Sequence, residues 1–498
     1  MNKRKLPDLF YNPISMAGAA AALVTFITIL TLMVIDALWN SLPPYFGLVT
    51  YILLPSVLIL GLIIVPVGAL VERKHWREAE KAGIPPLPRI DLNDGRQRRA
   101  FFLFSTGALL LMVFSAIGGY KAFEFTESPT FCGKICHRVM KPEFTTYEHS
   151  PHARIACVEC HVGPGASWYV KSKLSGAYQV YAVLFNKFPR PIPVPISNLR
   201  PARETCEQCH WPQAFVGERR VTKAFFLEDS ANTRWDIDML IRIGKSTSGE
   251  PYRAPVHWHV THTVQFLATD STSQNIPWVK VVEANGKSET FTTSNNPFTP
   301  DSVKQMNVKT MDCMDCHNRP THIILTPGDA INQALATGAI DTTIPWIKQT
   351  AVNALIPRYT NTKDALDSIA IAINSFYKDK YPAFATEKSA EINQAIASVQ
   401  GIYRNNFFPY MHVDWRAYAN NIGHMNSLGC FRCHDGNHKA ADGKVIPSGC
   451  NTCHVILDQG EKPEANVNLQ GVAFQHPPAG IGDSWQGGVC TDCHDGTQ

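Results

Sequence analysis

The fourteen cysteines of this chain fall without remainder into seven close pairs, and a histidine directly follows every pair. The groups are Cys132, Cys136, His137; Cys157, Cys160, His161; Cys206, Cys209, His210; and Cys313, Cys316, His317. Then come Cys430, Cys433, His434; Cys450, Cys453, His454; and Cys490, Cys493, His494. Six are C-x-x-C-H, the attachment signature of c-type haem, and the first has three intervening residues. Two thiols add to the vinyl groups at one haem edge, and the next residue turns under the ring to place imidazole on iron. A zinc ribbon needs no histidine behind each pair. Disulfides within C-x-x-C are strained and reactive. The pattern predicts seven covalently bound c-type haems, which limits the fold because haems then form much of the core.

Three apolar runs precede all of the cysteines, at about residues 14–36, 45–71 and 100–121. Each is long enough to cross hydrocarbon as a helix. Lys and Arg set the orientation. Lys3, Arg4 and Lys5 flank the first run, and the loop after the second carries Arg73, Lys74, Arg77, Lys81, Arg89, Arg96, Arg98 and Arg99. The loop between runs one and two carries neither residue type. The N-terminus and the loop at 72–99 are therefore expected in the cytoplasm. Everything after about Lys121 is then outside, which is the periplasm of a bacterial inner membrane.

Seven of the 18 histidines sit in the motifs and His75 lies in the cytoplasmic loop, which leaves ten to act as second axial ligands. Bis-histidine iron has no open position and carries electrons. His322 in CHNRPTH, His438 in CHDGNH and His424 just before Cys430 are expected distal ligands, with His476 serving the C-terminal group. Val256 to Phe266 alternates like a strand. His257 or His259 is the better ligand there, and His262 falls on the apolar face. His149 and His152 compete for one haem. His412 is expected at the surface. For the first haem, Met140 follows His137 at a reach suited to a thioether ligand.

The expected fold is mostly α and irregular. A membrane anchor over residues 1–125 leads into a tetrahaem domain over 126–325, which contains a β-rich insertion at 218–300 with an Asn285–Gly286 hairpin turn. A helical spacer follows over 326–417, where Leu366, Ile369, Ile373 and Phe376 form an apolar stripe. A trihaem domain over 418–498 ends the chain. The net charge of +4 omits the haem propionates. No feature points to nucleic acid.

A helix running into Phe131–Cys132, then Met140, His149, His152, CVECHVG, Lys171, Lys173 and CMDCHNRPTH resembles the NapC/NirT family of membrane-anchored quinol dehydrogenases. LRPARETCEQCHWP and the appended GCFRCHDGNH are most similar to its larger seven-haem inner-membrane members, the ImcH type. The resemblance implies oxidation of menaquinol from the membrane pool beside the first haem, in the outer leaflet of the lipid bilayer. Electrons would pass to periplasmic multihaem cytochromes in anaerobic or metal respiration. It places the quinol-binding lysine at Lys173. The family's aspartate further along is replaced around Gln179, so Glu127 and Glu143 are the substitute proton acceptors. Two other readings fit the motifs. One is an electron-conduit subunit of a larger complex. The other is a multihaem reductase, for which no C-x-x-C-K site exists.

Overall fold

A computed structural model describes residues 10–38, 49–79, 92–135, 138–196, 199–244, 255–283, 285–461, 468–478 and 481–498. Lys3, Arg4, Lys5, Lys81, Arg89, Cys136 and His137 lie outside the described residues, as does most of the loop between the first two apolar runs. The chain divides into two compact units, Met1–His137 and Arg138–Gln498.

The first unit is built on α1 (Pro13–Leu38), α2 (Leu54–Ala79) and α3 (Gly95–Glu127), each long and apolar enough to span a membrane. They outrun the apolar stretches because the flanking polar residues continue the helices. Asp94 caps α3, its carboxylate accepting from the Arg96 amide at 2.9 Å, which supplies one of the orphan first-turn amides with an acceptor. α1 packs on α2 through small residues. A Cβ on Gly18 would stand 2.8 Å from the Gly61 carbonyl oxygen, and Ser15 Oγ donates to the Val65 carbonyl at 2.8 Å. Close backbone approach of this kind replaces the hydrophobic drive that lipid removes.

The second unit begins with α4 (Lys141–Glu148) and α5 (Ala166–Leu184). Strands β1 (Glu218–Phe226), β2 (Arg234–Arg242), β3 (Thr263–Leu267), β4 (Trp278–Val282), β5 (Ser288–Thr292) and β6 (Lys309–Thr310) follow. The longer helices that come next are α6 (Pro327–Ala336), α7 (Ile347–Leu355), α8 (Thr362–Lys380) and α9 (Ser389–Asn406), followed by β7 (His454–Gly460). Asn361 caps α8 by accepting from the Asp364 amide at 2.9 Å. The stripe that α8 buries is Ala365, Ile369, Ile373 and Tyr377, with Leu366 and Phe376 on its flanks. It meets Ile347, Ala351 and Leu355 of α7 and Ile396, Val399 and Tyr403 of α9. The segment expected to be a spacer thus holds the main apolar core, and it draws in Phe226 of β1 and Trp415.

Two expectations change. The alternating stretch 256–266 is not one strand: Trp258–Thr261 is a helical turn, and β3 starts only at Thr263. His257 and His259 therefore sit on a turn, where side chains two apart diverge. The C-terminal part also contributes a strand. β7 pairs antiparallel with β2, giving a sheet of order β1-β2-β7, while β5-β4-β3-β6 forms the second sheet. Lys439 bridges to Thr292, and Cys433 and Ile446 pack on the Val264–Phe266 core. From Arg138 onward the segments expected as tetrahaem, spacer and trihaem domains lie in one compact unit, and residues 126–137 fall in the other. Gly286 makes the turn between β4 and β5 at φ 82°, a backbone conformation that favours glycine.

Candidate functional site: paired histidines at the cysteine motifs

Each described motif folds as a single helical turn. The amide of the motif histidine donates back to the first cysteine's carbonyl at His210 (2.8 Å), His317 (2.8 Å), His434 (3.0 Å) and His494 (2.9 Å). Residues three and four apart share one helix face, so both sulfurs and the imidazole are presented to one side. The eleven motif cysteines from Cys160 onward form no disulfide. The third and fourth motifs touch: the Cys206 thiol hydrogen-bonds Cys313, which holds the Cys313 thiol down to about 7.

Six motif histidines each face one histidine from outside the motifs. Ring centres are 6.4 Å apart for His161 and His322, 6.1 Å for His210 and His152, and 6.4 Å for His317 and His257. The others are His434 with His259 at 5.6 Å, His454 with His424 at 6.2 Å, and His494 with His476 at 5.9 Å. Two metal–imidazole bonds of about 2 Å each, plus about 1 Å from each nitrogen to its ring centre, span roughly 6 Å. The pairs therefore fit one iron between each two rings. Among the described residues, no three His, Cys, Asp or Glu side chains gather into a metal site of their own.

The hydrogen bonds orient these rings for ligation. Nδ1–H donates to a backbone carbonyl at His257 (Ile243, 2.9 Å), His259 (Val256, 2.8 Å), His322 (Glu143, 2.9 Å), His434 (Pro447, 2.6 Å) and His476 (Pro477, 2.8 Å). That fixes the tautomer and leaves the Nε2 lone pair for a metal. Burial also disfavours the imidazolium. It lowers the pKa of His161, His259, His317, His424, His434, His454 and His494, and takes His322 down to about 4. A ligating imidazole must be neutral.

The remaining histidines are placed otherwise. His438 is buried, and both of its ring nitrogens meet acceptors, the Ile276 carbonyl at 2.7 Å and Asp435 Oδ1 at 2.9 Å. Both ring nitrogens thus face protein acceptors, unlike the paired rings above. His149 is exposed, with Nδ1 on the Thr145 carbonyl at 2.8 Å and Nε2 beside Asn405 Nδ2 at 3.2 Å; it is His152 that faces a motif histidine. His262 stacks on Trp258 at 4.4 Å, and His412 is exposed at a helix end. His322 and His424 face motifs other than those beside them in sequence, the second and the sixth.

Around the first motif, Cys132 lies in a π-helical turn at Phe131–Ile135, and Met140 is half-buried where α4 begins. Lys173 and Gln179 are on α5. Lys173 Nζ lies 4.9 Å from the Tyr169 ring centre, and the exposed Gln179 bonds Ser175 at 3.5 Å. Glu127 ends α3. Glu143, on α4, is enclosed: Oε1 is 3.9 Å from Arg319 Nη2, and Oε2 is buried without a partner among the described residues. Burial raises its pKa and outweighs the opposing pull of Arg319. Arg319, which the sequence reading did not single out, is the buried cation beside Glu143 and His322. Its Nε donates to the His322 carbonyl at 2.7 Å, and its guanidinium lies 3.9 Å over the Tyr418 ring. Its place directly behind the fourth motif was the available signal.

The N-terminal region of the NapC/NirT cytochrome c family matches residues 95–191, which include α3, the first two motifs and α5. The chain is 42% identical over 496 residues to the cytochrome c-type protein ImcH of Geobacter sulfurreducens, covering 99% of this chain and 97% of that one. It is 30% identical over 106 residues to the cytochrome c-type protein NrfH of Wolinella succinogenes, covering 21% of this chain and 59% of that one. No solved structure matches. With three membrane-length helices, paired histidines at its cysteine motifs and near full-length identity to ImcH, the chain belongs to the NapC/NirT family of membrane-anchored multihaem c-type cytochromes.

Proposed function

We propose that this cytochrome oxidises menaquinol at the outer face of the bacterial inner membrane and delivers the electrons to periplasmic multihaem cytochromes. Seven haems are attached through the seven motifs. His161 with His322, His210 with His152, His317 with His257, His454 with His424, and His494 with His476 hold five of them. When bound, the haems supply one-electron carriage. Met140 is the candidate second ligand at the first motif.

Oxidising one quinol to quinone releases two electrons and two protons. On this chain Lys173 Nζ orients a quinol hydroxyl, and a carboxylate takes the proton. Glu143 suits that task, because its raised pKa brings it nearer the working pH. Glu127 is the alternative acceptor. The observation that carries the reading is the family match over residues 95–191, which places the third span, the first two motifs and Lys173 in one matched segment.

The test is reduction of purified protein by a menaquinol analogue, against dithionite as the measure of full reduction. Rapid reduction of the haems by the analogue is expected, with Lys173→Ala slowing it at least tenfold. Reduction by dithionite alone overturns the assignment of a quinol site to this chain. An unchanged rate in Lys173→Ala removes Lys173 from that site.

A further inference from the structure

Both ring nitrogens of His438, the histidine in the fifth motif's own segment, face protein acceptors. The ring that reaches His434 comes from the β-rich insertion instead. His259 Nε2 lies 3.4 Å from His434 Nε2, and the rings are nearly perpendicular at 80°. Each ring donates Nδ1–H to a backbone carbonyl, so each carries its lone pair on Nε2. Two acceptors aimed at each other across a buried gap form no hydrogen bond and call for a Lewis acid between them. Two residues earlier on the same turn, His257 is directed at His317 of the fourth motif, with the rings within 11° of parallel. Trp258 between them packs into the Val264–Phe266 core beside Cys433.

We propose that His259 is the distal ligand of the fifth haem, and that the His257–Trp258–His259 turn is a ligand strap shared by the fourth and fifth haems. The proposal rests on the multihaem reading above and adds to it the second ligand of the fifth haem. It joins the first four motifs to the last three through one turn. The fifth site is then assembled only when the insertion is folded against the C-terminal segment.

The test uses the full-length purified protein and counts low-spin bis-histidine haems by near-infrared magnetic circular dichroism. In His259→Gly one haem should turn high-spin and return to low-spin when imidazole is added, while His438→Gly keeps every low-spin signal of the wild type. A His259→Gly spectrum identical to wild type overturns the proposal, as does an imidazole-reversible high-spin haem in His438→Gly. Should His259→Gly fail to accumulate, His259→Met supplies a thioether instead. One midpoint potential should then rise, and a wild-type redox titration overturns the proposal. Menaquinol plays no part in these measurements, so failure of quinol oxidation leaves them standing.

Discussion

Removing Arg319 tests whether a buried ion pair holds His322, the proposed distal ligand of the second haem, in place. Its guanidinium is 9% exposed, contacts Glu143 at 3.9 Å and lies over Tyr418 at 3.9 Å. It also donates to the carbonyl of His322, whose own Nδ1 donates to Glu143 O. A desolvated cation–π contact contributes about 2 kcal/mol, and a hydrogen bond to a charged group about 1.5–3 kcal/mol. Deleting one partner of a buried pair costs about 3–5 kcal/mol in all, because the other charge is stranded. Arg319→Leu should therefore lose about 3–5 kcal/mol in thermal or denaturant unfolding of the solubilised protein, and should perturb the low-spin signal of one haem. Arg319→Leu with Glu143→Leu strands no charge and should recover about half of that loss. A double variant no more stable than Arg319→Leu would show the two residues to be uncoupled and refute the argument. The pH sign is also fixed. Glu143 binds its proton more tightly when folded, so its contribution is full below the ordinary carboxylate pKa and is lost as pH rises through its raised folded value. Glu143→Gln should remove that loss.

Other outcomes follow from single contacts. His152→Ala should abolish one low-spin haem signal while His149→Ala leaves all of them, as counted by electron paramagnetic resonance. Lys348 is fully buried, with Nζ donating to the Gly328 carbonyl at 3.1 Å and its pKa lowered by burial to about 8. The folded state thus holds this proton more weakly than the unfolded state. Stability should rise by about 3 kcal/mol between pH 8 and 10.5, and Lys348→Met should flatten that rise in unfolding curves taken across the range. Gly18→Val drives a side chain into the backbone of α2 and should cost about 1–3 kcal/mol, read as a lower melting temperature in detergent.

What the sequence made legible is what covalent chemistry and short-range geometry impose. Cys313, Cys316 and His317 must lie within one turn to serve one haem edge and one iron, so the motif announces itself. The three apolar runs are legible because lipid demands about twenty uncharged residues in series. The helices of residues 327–406 follow from the 3.6-residue spacing of residues such as Ile369, Ile373 and Tyr377. The stretch around His257 misled because its two-residue alternation comes from His257, His259 and Trp258 on a helical turn rather than from a sheet. β7 was hidden for the opposite reason: Val455, Ile456 and Leu457 are all buried, so the strand shows no alternation.

Distal ligands follow a different rule, and that rule explains why they were hard to assign. A motif histidine is fixed by its own cysteines, but its partner need only arrive at the far side of the ring, from any point in the chain. His322 comes from beyond the fourth motif to face the second, and His152 comes from before the second to face the third. His424 passes over the adjacent fifth motif to reach the sixth. Nearness in sequence made His438 attractive, yet a local histidine held by Asp435 and Ile276 is a strut. Its ring joins the C-terminal segment to the insertion through the Ile276 carbonyl. Each iron would thus close a long loop, as a crosslink does. Such loops gain most where the segments between them hold few apolar contacts of their own. The polar, glycine-rich chain after Tyr418 is such a segment. Its order is expected to depend on the haems far more than does the apolar helical core at Ile369, Leu355 and Val399.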